Sequence, residues 1–129
     1  VDSDTGVACK ARIDALGDGF FGDLKTTATT TWVEFGSSFF RYNYHFQLAF
    51  YMDGLIAKYG EYFEPYVIPC RKSPNYKTQV TEIPESVVAS GRTLYKGALY
   101  KLEECIVTGM WPGEPDRAVL MVPPWRLDR

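Results

Sequence analysis

The dipeptide Asp18-Gly19 constrains this chain more than any other feature. Asp-Gly between two alternating runs is the strongest short-range signal for a two-residue type I′ hairpin turn. The flanking run CKARIDALGDGFFGDLKTT, residues 9–27, alternates accordingly. Lys10, Arg12 and Asp14 fall on one face, and Cys9, Ala11 and Ile13 on the other. With that turn Gly17 pairs with Phe20. Counting outward sets Asp14 opposite Asp23, with Lys25 on the same face two residues on. Carboxylates on Cβ atoms about 4.5–5.5 Å apart repel each other. A structural hairpin gains nothing from this, whereas a hard divalent cation needs oxygens placed so. The spacing therefore predicts an Asp…Asp-x-Lys metal site on a hairpin. A solvated strand face, with Arg12 and Lys25 screening the acids, is the plain alternative.

Beyond the hairpin, Thr26 to Thr31 is a connector rich in residues that cap helices. Trp32 to Phe40 reads as a helix weakened by Gly36. Arg41 to Lys58 reads as the main helix, stopped by Gly60. Phe46, Phe50 and Leu55 or Met52 can face a core, and Gln47 and Tyr51 lie along a neighbouring stripe with Asn43 or Tyr44. His45, the only histidine, lies off that stripe and is read as structural. Residues 62–71 are strand-like, but Pro65 and Pro69 point to an edge or irregular strand. Lys77 to Ile83 alternates as another strand. Pro84 suits the first turn of a helix running to about Thr108, with Gly109 beyond its end. Ala118 to Val122 reads as a short strand. This order predicts an α/β domain, a mixed β-sheet flanked by helices.

Asp14 followed by Asp23-Leu24-Lys25 resembles the PD-(D/E)xK nuclease signature, and CKARID…DLKTT is similar to the RecE-type (exodeoxyribonuclease VIII-like) phage and prophage exonucleases. Gln47-Leu48-Ala49-Phe50-Tyr51 matches the Q-x-x-x-Y helix motif of the lambda exonuclease and RecB-like branch. The Met110-Trp111-Pro112-Gly113…Pro123-Pro124-Trp125 tail resembles that family's C-terminal end, so the likeness covers nearly the whole chain. It implies a PD-(D/E)xK nuclease-like core in which Asp14 and Asp23 hold Mg²⁺ (or Mn²⁺), with the Leu24 carbonyl as a further ligand. Lys25 would position water or stabilise charge on phosphate, and Gln47 and Tyr51 would sit beside the metal. The implied activity is metal-dependent 5′→3′ hydrolysis of linear double-stranded DNA in phage-type recombination. The implied setting is a tetrameric ring that works with a single-strand annealing recombinase in a bacterial cytoplasm. The family also carries an upstream helical segment that brings a further acid or histidine to the metal. Residues 1–129 are then expected to be one nuclease domain in the C-terminal part of a longer protein. One departure is Ile68-Pro69-Cys70-Arg71, where such chains often carry an acid.

A formal charge of −2 gives no global nucleic-acid signature, so DNA contact requires a local basic patch. Thr26, Arg41, Tyr44, Arg71, Lys72 and Lys77 are the candidates, with Arg92, Lys96 and Lys101 as a second group that a solvated helix face explains better. Three widely spaced cysteines form no zinc spacing and fit a reducing compartment. No apolar run reaches membrane-spanning length, and no membrane partner is expected. The rival readings are a single-strand-specific or endonucleolytic PD-(D/E)xK nuclease, and a catalytically silent DNA-binding or assembly module.

Overall fold

A computed structural model describes residues 1–127. Strands β1 (Ala15–Gly17) and β2 (Phe20–Thr27) form the hairpin, in the register Ala15↔Gly22, Leu16↔Phe21 and Gly17↔Phe20. The expected pairing is met, but the turn is not type I′. That turn needs positive φ at both central residues, and here Gly19 alone has it, at +75°. A negative φ followed by a positive one is the sign pattern of type II, which spares Asp18 the left-handed conformation. The first strand is also shorter than the alternation from Cys9 suggests, and residues 9–13 are irregular.

Two helices follow, α1 (Trp32–Arg41) and α2 (Tyr44–Tyr59). Thr31 caps α1: its side chain accepts from the Glu34 N–H, and the Glu34 carboxylate accepts from the Thr31 N–H. The expected start of the main helix at Arg41 is corrected. Asn43 turns left-handed at φ +54° and breaks the chain there, so Arg41 closes α1 instead of opening α2.

Strand β3 (Glu64–Arg71) runs parallel to β2, and β4 (Thr81–Glu82) pairs antiparallel with β3. The sheet order is β1-β2-β3-β4, so β3 is interior, against the expectation of an edge strand. The direction of its amides explains how two prolines are tolerated. The Glu64 and Lys72 N–H groups bond to β2 through the Gly19 and Thr27 carbonyls, so even-numbered amides face β2. Pro65 and Pro69, which lack an N–H, face the β4 side. Gln79 donates to the Pro69 carbonyl, but the return bond cannot form. Pairing on that side is confined to Tyr66↔Glu82 and Val67↔Thr81 plus a single Cys70↔Thr78 bridge. The strand expected over Lys77–Ile83 thus shrinks to two residues.

Helix α3 (Glu85–Thr108) crosses α2 at Gly91, where the backbones almost touch. Pro84 sits at its N-cap, one position before the expected one. Odd-numbered residues of β2 and β3 face the helices, and Phe21 and Val67 there join Phe39, Leu48, Met52, Val88 and Tyr95 in one core. The strand expected over 118–122 is absent: these residues are irregular and exposed, and no strand pairs with them. A strand needs a partner's backbone groups, and both edges of this sheet, β1 and β4, are very short. A short helix, α4 (Pro124–Leu127), ends the described chain.

Candidate active site

The site grows from the point where β1 ends. Leu24 is an even-numbered residue of β2, so its N–H and C=O point away from β3, toward the side β1 has already vacated. The Asp14 carboxylate takes the place of the missing strand, its Oδ2 accepting from the Leu24 N–H at 2.8 Å. Asp23 and Lys25 project from the opposite edge of the pleat toward the helices. Asp23 is buried, only 3% exposed, whereas Asp14 is open to solvent.

Burial pushes the Asp23 carboxyl above its ordinary range; Lys25 opposes this and the nearby Asp14 carboxylate adds to it. Asp23 Oδ2 has the Lys25 ammonium 2.6 Å away, in an ion pair whose angles miss those of a hydrogen bond. The ammonium answers its charge, and the oxygen makes no further hydrogen bond to a described residue. Two carboxylates and the outward Leu24 carbonyl are hard oxygen donors of the kind Mg²⁺ takes, with water and phosphate completing its shell. The donor chemistry fits a divalent cation in part. Among the described residues no cluster of three or more His, Cys, Asp or Glu side chains could hold a metal.

Lys25 continues the network onto α2. Its Nζ donates to Gln47 Oε1 at 2.7 Å, and Gln47 Nε2 donates to the Tyr51 hydroxyl at 2.7 Å. The ammonium can only donate, which sets the amide orientation and leaves Nε2 for the tyrosine. The Lys25 ammonium also lies 4.5 Å from the centre of the Tyr44 ring. Asp14, Asp23 and Lys25 are therefore gathered on the hairpin, Gln47 and Tyr51 adjoin them where the family resemblance implied, and Tyr44 joins them as a neighbour of lysine.

Thr26 is not gathered. It is exposed on the other face of β2, because side chains alternate along the strand. Arg71 pairs with Thr27 and shares the Asp23 face, four residues and roughly 13 Å further along. Lys72 and Lys77 flank the turn that follows, and Arg41 rests on the Tyr42 ring at 5.9 Å. None of Arg41, Arg71, Lys72 and Lys77 forms an ion pair with another described residue. The α3 cations differ. Arg92 is engaged by Asp53 and Glu85, Lys96 by Asp2 and Asp4, and Lys101 by Glu104. Each of them already has an acidic partner, which the first group lacks among the described residues.

Asp53 escaped the sequence reading. Arg92 grips it through Nε and a terminal nitrogen, both at 2.8 Å, and the Tyr95 hydroxyl donates to the same carboxylate. Burial pushes this carboxyl up, but the bonds from Arg92 and Tyr95 outweigh it and hold it below its ordinary range. The partners stand on different helices, and no local spacing links them. His45 is buried against Phe39 and Phe40, its Nδ1 unbonded, and burial lowers its pKa. Among the described residues that nitrogen finds no partner, unlike most buried polar atoms.

A mixed sheet flanked by helices, with Asp…Asp-x-Lys on its first hairpin, defines a core of the PD-(D/E)xK class. Residues 1–121 match the family described as a PDDEXK-like domain of unknown function (DUF3799), and the chain belongs to it. No curated protein matches the chain.

Proposed function

We propose that this chain is the catalytic core of a metal-dependent exodeoxyribonuclease of RecE type, acting on linear double-stranded DNA. One observation carries the reading: the buried Asp23 carboxylate lies beside a second carboxylate, Asp14, and the Lys25 ammonium on a PD-(D/E)xK scaffold. Asp14, Asp23 and the Leu24 carbonyl would hold Mg²⁺ or Mn²⁺, which supplies Lewis-acid polarisation of the scissile phosphate. Lys25 presents an ammonium fixed by Asp23 and Gln47, placed to stabilise charge that develops on phosphate oxygens. Gln47 holds that lysine, and Tyr51 holds Gln47. Arg71, Lys72, Lys77 and Arg41, unpaired among the described residues, offer cations for backbone phosphates, which gives affinity without sequence choice. The resemblance of the chain's motifs to RecE-type exonucleases, rather than the matched family, is the ground for proposing 5′→3′ polarity, a tetrameric ring and partnership with a single-strand annealing recombinase in phage-type recombination in the bacterial cytoplasm.

A second reading, a catalytically silent DNA-binding or assembly module, is favoured by the small donor set of two acids. End-labelled linear duplex, nicked circle and single strand, each with Mg²⁺, separate the possibilities. The exonuclease reading expects release of nucleotides from linear duplex alone and a loss of at least about 100-fold with Asp23→Ala. Equal digestion by Asp23→Ala would overturn the metal-site assignment, and preference for single strands or nicked circles would replace the substrate class.

A further inference from the structure

We infer that Tyr44 is a positioning residue for Lys25: its ring holds the ammonium between Asp23 and Gln47 and acts on hydrolysis through that lysine, not by contact with DNA. The kinetic half of this inference rests on the nuclease reading above; the contact itself rests on geometry. Three groups surround the ammonium: the Asp23 carboxylate at 2.6 Å, Gln47 Oε1 at 2.7 Å and the Tyr44 ring centre at 4.5 Å. A carboxylate, an amide oxygen and a π-face all attract a cation and none competes for its charge. Lysine reaches its site on a flexible four-carbon stem, so an extra wall of attraction narrows where the charge can stand.

The ring is itself well held. Tyr44 is the first residue of α2, placed by the left-handed Asn43. Its ring meets Phe39, a core residue, edge-on at 5.9 Å and 86°, and lies 5.9 Å from Tyr42. Tyr44 and Gln47 are three residues apart on one helix face, so a single turn of α2 supplies two of the three groups around the lysine.

The test combines kinetics with a measurement that needs no activity. Position 44 is changed to Phe, to Leu and to a series of increasingly fluorinated phenylalanines, whose shape is kept while the ring's attraction for cations falls. Linear duplex with Mg²⁺ is the substrate, and the NMR shift of the Lys25 ε-methylene protons reports the ring overhead. Expected is an upfield Lys25 signal in the wild type and in Tyr44→Phe, lost in Tyr44→Leu. Expected too is a kcat that declines stepwise with fluorination, to about 2- to 30-fold below the Phe variant, with KM unchanged. In a Lys25→Ala background the same series should be flat. An unshifted wild-type signal overturns the inference, as does a KM rise at constant kcat or a fluorination effect that survives without Lys25. If the wild-type chain releases no nucleotides from duplex with Mg²⁺, the nuclease reading fails, and the Lys25 shift still decides the contact.

Discussion

Gly91→Ala tests the packing that holds the candidate site in place. A Cβ at this position would lie 2.0 Å from the His45 carbonyl oxygen, 2.4 Å from its carbon and 3.0 Å from the Phe46 nitrogen. All three are backbone atoms of α2, so no side chain can swing aside. Reaching an ordinary separation of about 3.5 Å demands that α2 and α3 part by about 1.5 Å. Overpacking of this kind costs about 1–3 kcal/mol, and an unyielding backbone puts it at the top of that range. Alanine regains about 1 kcal/mol of helix propensity, leaving a net loss of about 2 kcal/mol. Gly97 is the built-in control. It lies on the same helix with nothing within 4 Å of a new Cβ, so Gly97→Ala should gain up to about 1 kcal/mol. Urea unfolding followed by circular dichroism, at equal slopes, should separate the two variants by about 3 kcal/mol. If Gly91→Ala proves as stable as Gly97→Ala, α2 and α3 do not approach this closely at Gly91.

Further outcomes follow from other contacts. The Asp53 carboxyl is lowered from an ordinary 3.8 in the folded chain, so its stabilisation is present above that pH and lost as pH falls through the folded value; Asp53→Asn should flatten the acid limb of a stability-against-pH curve below about pH 4, and an unchanged limb would remove Asp53 from the account. Saturating Mg²⁺ should raise the wild-type Tm, by about 2.7 kcal/mol of stability at one hundred times Kd, with the gain reversed by a chelator and absent from Asp23→Asn; equal gains in both would place the cation elsewhere. Thr31→Ala removes the α1 cap and should cost about 1 kcal/mol in thermal unfolding, whereas a neutral result would mean the first turn of α1 is held by its packing alone.

The hairpin and its register were legible because a two-residue turn fixes the phase of both strands, whichever turn type closes it; Asp14 lies just outside the paired residues and bonds the Leu24 N–H instead of standing in the ladder. Likeness to the nuclease families singled out Gln47 and Tyr51; periodicity could only place them on one stripe. The break at Asn43 was hidden, since Arg41 to Lys58 carries no proline or glycine where α1 stops. Pro65 and Pro69 misled about position but not about physics: they do weaken one side of β3, and that side is merely not the outermost one. The strand predicted over 118–122 failed because a β-prone run says nothing about whether a partner edge exists. Asp53 with Arg92 was invisible because tertiary ion pairs leave no local pattern.

The parallel pairing of β2 with β3 has a consequence for how the protein acquires its site. Residue 20 meets residue 64, and everything between them, Asp23, Lys25, Tyr44, Gln47 and Tyr51 included, lies inside that closure. The hairpin and the two helices are local and can form quickly, but the loop must close before the sheet scaffolding the site is complete. Acid, lysine and glutamine are therefore expected to meet in the slow step of folding. A stopped-flow refolding trace read through Tyr44 or Tyr51 should then follow the late phase, so that a half-folded chain carries no half-built version of this cluster.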